Sequence, residues 1–131
     1  MTKSDTTRSL EIVISDVKPL PKGRPRFVRD RFVNGRFVKG HAYTPARTRR
    51  YEKLLQEHFR LACKEPWEGL LALEIQFQTK SRGDADNLTK ACVDAGNKIL
   101  YRDDSQVVRL TTEKIKSAEE EIRIVMRKVG G

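Results

Sequence analysis

Leu10, Ile12 and Ile14 alternate with Glu11, Val13 and Ser15, a period of two that predicts a strand with one buried face. Pro19, Pro21 and Pro25 then fall within seven residues and forbid regular structure, so Pro19–Arg26 reads as a stiff, extended loop. Phe27-Val28, Phe32-Val33 and Phe37-Val38 surround Asn34-Gly35, and Asn-Gly between β-prone residues predicts a hairpin. Thr44-Pro45 has the form of a helix N-cap followed by proline at the first helical position. Tyr51, Leu54, Leu55, His58, Phe59 and Ala62 follow at helical spacing, which predicts an amphipathic helix ending before Glu65-Pro66. Leu71, Leu73, Ile75 and Phe77 alternate with more polar positions, a second half-buried strand broken by Ser81-Arg82-Gly83. A second helix is expected from about Asp86 to Asn97, with Leu88, Ala91, Cys92, Ala95 and Ile99 as its apolar stripe and Gly96-Asn97 marking its end. Val107–Thr112 and Ile122–Val129 read as two final strands.

The order is strand, hairpin, helix, strand, helix, strand, strand. It predicts a single α+β domain over residues 10–131, with a mixed sheet, a basic β-hairpin and two helices, after a polar, disordered tail over 1–9. The length of 131 residues suits one domain. Hydrophobic residues make up 37% and mean hydropathy is −0.63, enough for one modest core. No apolar run approaches the ~18 residues of a membrane span. No apolar leader segment is visible, and Cys63 and Cys92 make no C-x-x-C pair, so a reduced cytoplasmic setting is expected.

Charge is unevenly placed. Residues 1–60 hold 15 basic and 6 acidic side chains, whereas residues 61–131 hold 12 of each, so the whole net charge of +9 lies in the first half. A concentrated excess of this kind is the footprint of a polyanion partner. Lys22, Arg24, Arg26 and Arg29 lie in the proline loop and hairpin, with Arg31, Arg36 and Lys39 beyond them. Arg47, Arg49 and Arg50 sit in the first turn of the first helix, where cations oppose the helix dipole, an arrangement that makes sense if an outside phosphate docks there. Phe27, Phe32 and Phe37 are expected to pack within the hairpin, stacking on unpaired bases being the other use for such rings.

In so basic a chain, clustered acids need a reason. Asp84 and Asp86 stand one residue apart where the second long strand meets the second helix, and in extended chain they point to the same side. Asp86, Lys90 and Asp94 follow at i, i+4 and i+8, on the helix face opposite Leu88. Asp103-Asp104 comes after the helix and can return to the same point. Neighbouring carboxylates repel unless a cation neutralises them, and a hard divalent ion such as Mg²⁺ takes such oxygen ligands. An ion there polarises a phosphodiester and activates water, while a nearby lysine balances the developing charge. Each acid also has a plainer use: Asp86 and Lys90 as a helix ion pair, Asp84 as a helix cap, Asp103-Asp104-Ser105 as a turn. His58 reads as a core residue, His41 as a loop residue within reach of phosphate, and Cys63 and Cys92 as small core residues.

Arg82-Gly83-Asp84-Ala85-Asp86-Asn87-Leu88-Thr89-Lys90-Ala91, then Asp94-Ala95, then Asp103-Asp104-Ser105-Gln106-Val107, resembles the RusA family of Holliday junction resolvases, whose hallmark is D-x-D-N-x-x-K, D-A and a D-D-[SA]-Q-[VI] turn. Pro21-Lys22-Gly23-Arg24-Pro25-Arg26 and Tyr43-Thr44-Pro45 are similar to segments of phage and prophage members. The resemblance spans about residues 18–116. It implies a Mg²⁺-dependent homodimeric endonuclease, with Mn²⁺ as a substitute, that nicks two opposed strands of a four-way DNA junction. Asp84, Asp86 and Asp104 match the metal-binding acids, Lys90 the essential lysine, and Asp94 and Asp103 recurrent supporting acids. Lys22, Arg24, Arg26, Arg29, Arg47, Arg49, Arg50 and Arg82 are the expected DNA contacts. Neither a membrane nor a small-molecule cofactor is expected. A DNA-binding module without chemistry, or a nuclease acting on flaps and forks, is the alternative.

Overall fold

A computed structural model describes residues 8–23, 26–43 and 45–130, with the side chain of Arg26 left aside. Strand β1 (Ser9–Ile14) pairs antiparallel with β8 (Glu121–Lys128), which pairs antiparallel with β6 (Leu71–Thr79), and β6 runs parallel to β7 (Val107–Lys116), in the order β1-β8-β6-β7. Register explains the core. Ile12 lies opposite Ile124, which lies opposite Ile75; Ile14, Ile122 and Phe77 form the next row. All six side chains are buried, so a period of two in three separate segments builds one apolar face. The other face is polar: Arg123 pairs with Glu11, Arg127 with Glu74, and Gln76 with Glu113.

Both helices cover the apolar face. Helix α1 (Ala46–Ala62) buries Thr48, Tyr51, Leu55 and Phe59, and α2 (Ala85–Gly96) buries Leu88, Ala91, Cys92 and Ala95. The parallel β6–β7 pair requires a crossover, and α2 supplies it. Strands β2 (Arg26–Val28), β3 (Arg31–Val33), β4 (Arg36–Val38) and β5 (His41–Tyr43) stand apart from this sheet: β2 pairs only with β5, and β3 only with β4. They form a two-stranded ribbon closed by Asn34 (φ 52°) and Gly35 (φ 78°), the pair of positive φ angles a tight hairpin turn needs. Asp30 Oδ1 accepts from Gly40 N at 2.6 Å where the two strand pairs meet.

The α+β class, the mixed sheet, the hairpin and the two helices stand as the patterning predicted. Several details differ. Pro45 occupies the N-cap position of α1 with no side-chain cap, and Thr44 lies outside the described residues. Leu54 and Ala62 are exposed, because α1 turns only its Tyr51–Leu55–Phe59 stripe inward. His58 is half-buried at the edge of the core, its Nε2 2.9 Å from Asp16 Oδ1. Phe27, Phe32 and Phe37 are largely exposed: Phe32 and Phe37 meet edge-to-face, and among the described residues the ribbon's strands pair only with one another. Strand β5, unannounced by any alternation, forms because β2 offers it an edge. Of the expected tail, residues 1–7 lie outside the described part; Ser9 already opens β1, and the Arg8 guanidinium sits 4.4 Å from the Trp67 ring centre.

Candidate active site

The chain from β6 into α2 is held at both ends. Thr79 Oγ1 and Lys80 N donate to Glu120, Lys114 Nζ donates to the Gly83 carbonyl at 2.7 Å, and Ser81 N donates back to Thr79 Oγ1. Burial alone would raise the Glu120 carboxyl; these two hydrogen bonds, with Lys18 and Lys80 nearby, outweigh it and hold the group below its ordinary value. Gly83 packs on Pro21 so closely that a methyl group there would stand 2.8 Å from Pro21 Cγ. The next residue, Asp84, is extended and caps α2: its Oδ1 accepts from Asn87 N at 2.8 Å. Asp86 is the second residue of α2, so the two acids of the Asp-x-Asp pair are divided between a cap and a helix face rather than side by side in extended chain.

From that face, Asp86, Lys90 and Asp94 project into a cleft of about 540 Å³ whose lining also includes Asp104, Thr89, Leu110 and Thr112. The cleft lies between α2 and the edge strand β7, and a 2.8 Å contact between the hydroxyls of Thr89 and Thr112 ties its two walls. Asp84 is not among the lining residues. Asp86 and Lys90 do not form the helix ion pair that their spacing permits; among the described residues the side chains of Asp86, Lys90 and Asp104 take no hydrogen bond or ion pair.

The second acidic segment explains itself through Gln106. Asp103 caps a 3₁₀ turn (Asp104–Gln106), accepting from Ser105 N at 2.9 Å; a hydrogen bond from the Ser105 side chain, then this backbone bond, hold its carboxyl below the usual range. Gln106 Oε1 accepts from the backbone N–H groups of Arg102 and Asp103, while its Nε2 donates to the carbonyls of Trp67 and Gly69. Every polar side chain of the turn named so far is thereby spent on structure, and Asp104 alone is presented to the cleft. Behind it Tyr101 donates to the Val93 carbonyl at 2.6 Å; burial, then the charges of Asp104 and other neighbours, push its phenol far above the ordinary value.

Asp94 differs from the other cleft acids. Lys22 Nζ stands 3.1 Å from Asp94 Oδ2 and 2.6 Å from Glu52 Oε2, so this lysine, expected to contact DNA, is turned inward. Burial lowers its tendency to hold a proton, but both carboxylates outweigh that and its pKa is raised.

Of the other expected DNA contacts, Arg24 and the side chain of Arg26 lie outside the described residues, and Arg29 is exposed on the ribbon. Arg47, Arg50 and Arg82 line a second cleft of about 690 Å³ together with Lys18 and Lys80. Arg49 is exposed beside them on α1. Lys18 and Lys80 escaped the sequence reading; their signal was position, each flanking a motif already singled out. Arg82 lines the basic cleft and Ala85, three residues later, lines the acidic one. The two clefts are thus joined by one short stretch of chain.

Hard oxygen donors suit a divalent ion of the Mg²⁺ type. Among the described residues no three carboxylates, histidines or cysteines converge tightly enough to enclose a metal by themselves. That still fits Mg²⁺, which keeps several waters and needs only one or two carboxylates together with a substrate phosphate. No helix among the described residues is long and apolar enough to cross a membrane.

A family model described as Endodeoxyribonuclease RusA matches residues 16–127 of the 131. A stretch of 49 residues is 41% identical to the uncharacterized protein YqaN of Bacillus subtilis (strain 168), covering 37% of this chain and 34% of that protein. The chain thus spans about a third of the length of the curated relative it matches.

Proposed function

The chain belongs to the RusA family of endodeoxyribonucleases, and from that premise we propose that it cuts four-way DNA junctions by paired, metal-dependent nicks in opposed strands. The observation that carries this reading is the convergence of Asp86, Lys90 and Asp104 on one cleft, with those side chains uncommitted while Asp84 and Asp103 cap turns. Asp86 and Asp104 hold the divalent ion, magnesium or in its place manganese, with Asp84 at the cap position of α2 as the third acid. When bound, the ion polarises the scissile phosphodiester and lowers the pKa of an attacking water. Lys90 stands on the same wall and offsets charge that develops on the phosphate oxygens. Asp94, held by Lys22, fixes the far end of that wall.

Lys18, Arg47, Arg50, Lys80 and Arg82 hold the backbone of the strand to be cut, a sequence-independent grip suited to an enzyme that reads DNA shape. Two symmetric incisions call for two such sites, so the working form is a two-fold dimer, acting where the cell keeps its DNA. The domain responsible is residues 10–131, joined by Ser9 at the start of β1.

Asp86→Asn tests the site. Nicking of a labelled four-way junction, read on a denaturing gel with magnesium, is expected to fall at least about a hundredfold, the scale seen when a charge-stabilising group is lost. Junction binding is retained or tightened because a negative charge has gone, and chelator abolishes nicking by the wild type. If Asp86→Asn cuts at the wild-type rate, the assignment is wrong. Parallel rates on flap, fork and plain duplex decide how far preference for the junction extends.

A further inference from the structure

The ribbon has an unusual surface for an element whose strands, among the described residues, pair only with one another. Phe27, Phe32 and Phe37 are 68%, 74% and 59% exposed. Phe32 and Phe37 are direct cross-strand partners next to the Asn34-Gly35 turn, with ring centres 5.6 Å apart and planes at 63°. An edge-to-face pair of this kind leaves ring surface open. Rings held in water at the tip of a projecting hairpin stabilise the fold little, and clustered exposed apolar groups mark an interaction site.

The charge around them narrows the partner. Residues 26–43 carry five arginines and lysines against a single acid, Asp30. In the β3–β4 register Arg31 lies opposite Val38 and Arg36 opposite Val33, so arginines flank the Phe pair along the strands and, by strand alternation, occupy the opposite face. A lipid surface would favour an apolar face on a helix of amphipathic period, and an apolar protein partner gives no use for so many cations. Open aromatic rings on a strongly basic ribbon match single-stranded nucleic acid, whose bases stack on the rings while its phosphates are drawn by the surrounding positive charge.

We propose that the ribbon tip is a base-stacking element: Phe32 and Phe37 receive unpaired bases at the branch point of the junction while the body of the protein holds the arms. This rests on the junction-cutting reading and adds to it a second contact, outside the cleft, made with bases rather than phosphates. It assigns the branch point, the place in a four-way junction where bases can leave their stack at low cost, to the edge-to-face phenylalanine pair beside the ribbon's turn.

The test compares the wild type with Phe32→Ala/Phe37→Ala and with Phe32→Leu/Phe37→Leu, which keeps apolar bulk but removes the rings. Binding is measured in calcium, without cutting, to a four-way junction carrying 2-aminopurine at its centre and to plain duplex of the same sequence. Wild-type binding should raise 2-aminopurine emission as the central base leaves its neighbours. Both double variants should lose that rise and bind the junction about tenfold to a hundredfold more weakly, with duplex affinity changed less than threefold. Circular dichroism melts of the variants should superimpose on the wild type, since both rings are mostly exposed. Leucine variants that keep the emission rise, or alanine variants that bind as tightly as wild type, overturn the proposal. Metal-dependent nicking by the wild type is scored separately. If the wild type binds the junction with the emission rise but fails to nick it, the nuclease reading falls and the stacking element stands; if it does not bind the junction at all, both fall.

Discussion

The four-stranded body and the two-stranded ribbon share a chain and little else. In the body, rows such as Ile14–Ile122–Phe77 are sealed under two helices, and the polar side chains near the cleft are either bonded or aimed into it. In the ribbon, the same residue types lie on strands with no covering layer, and three phenylalanines face water. Burial makes one region stable, and exposure makes the other available. β-prone residues produced both, so propensity reports that a strand forms and not whether anything will cover it.

The largest contrast is expected from truncating one phenylalanine in each region. Phe77→Ala opens a cavity beneath both helices and should lower stability by about 3–5 kcal/mol in chemical denaturation. Phe27→Ala should leave the midpoint within about 0.5 kcal/mol, as surface substitutions do. Equal losses would mean that the ribbon belongs to the core.

Lys22→Met should fall between these, at about 1–3 kcal/mol, because Glu52 and Asp94 are left facing each other across a half-buried gap. The folded lysine holds its proton more tightly than the ordinary value of 10.5. Its contribution is therefore complete below pH 10.5 and is lost as pH rises through the raised folded value. Denaturation of wild type and variant from pH 7 to pH 11 should show the gap constant at first and narrowing at the top. A gap that widens there would contradict the ion-pair account.

The smallest effect on stability is expected from the largest deletion. Joining Val28 to His41 through a two-residue Asn-Gly turn removes the β3–β4 tip yet should move the melting temperature by only about 1–2 °C, while weakening junction binding. A collapse of the fold would show that the tip braces the body.

Much of this division was legible in the sequence. Strands with long alternation and helices with a clear stripe announced themselves, and so did Asn34-Gly35, because each rests on local geometry. What stayed hidden depends on distant partners. Adjacent Asp103 and Asp104 look equivalent until Ser105 N claims the first and leaves the second to the cleft. Asp84 and Asp86 look like a matched pair until the helix start divides them. Lys22 looks like one more DNA contact until Glu52 and Asp94, far along the chain, close around it. His58 sits on the helical stripe, yet Asp16 draws it to the edge.

The root of the ribbon carries a mechanical consequence. Just before the chain leaves the body, Lys22 N donates to the Asn87 carbonyl and Gly23 N to Thr48 Oγ1, so the hairpin is moored to both helices at once. Asn87 is the immediate neighbour of Asp86. Any pull on the hairpin is thus delivered, through a single peptide link, to the turn of helix that carries Asp86, so the proposed grasp and the proposed incision would share one hinge pin.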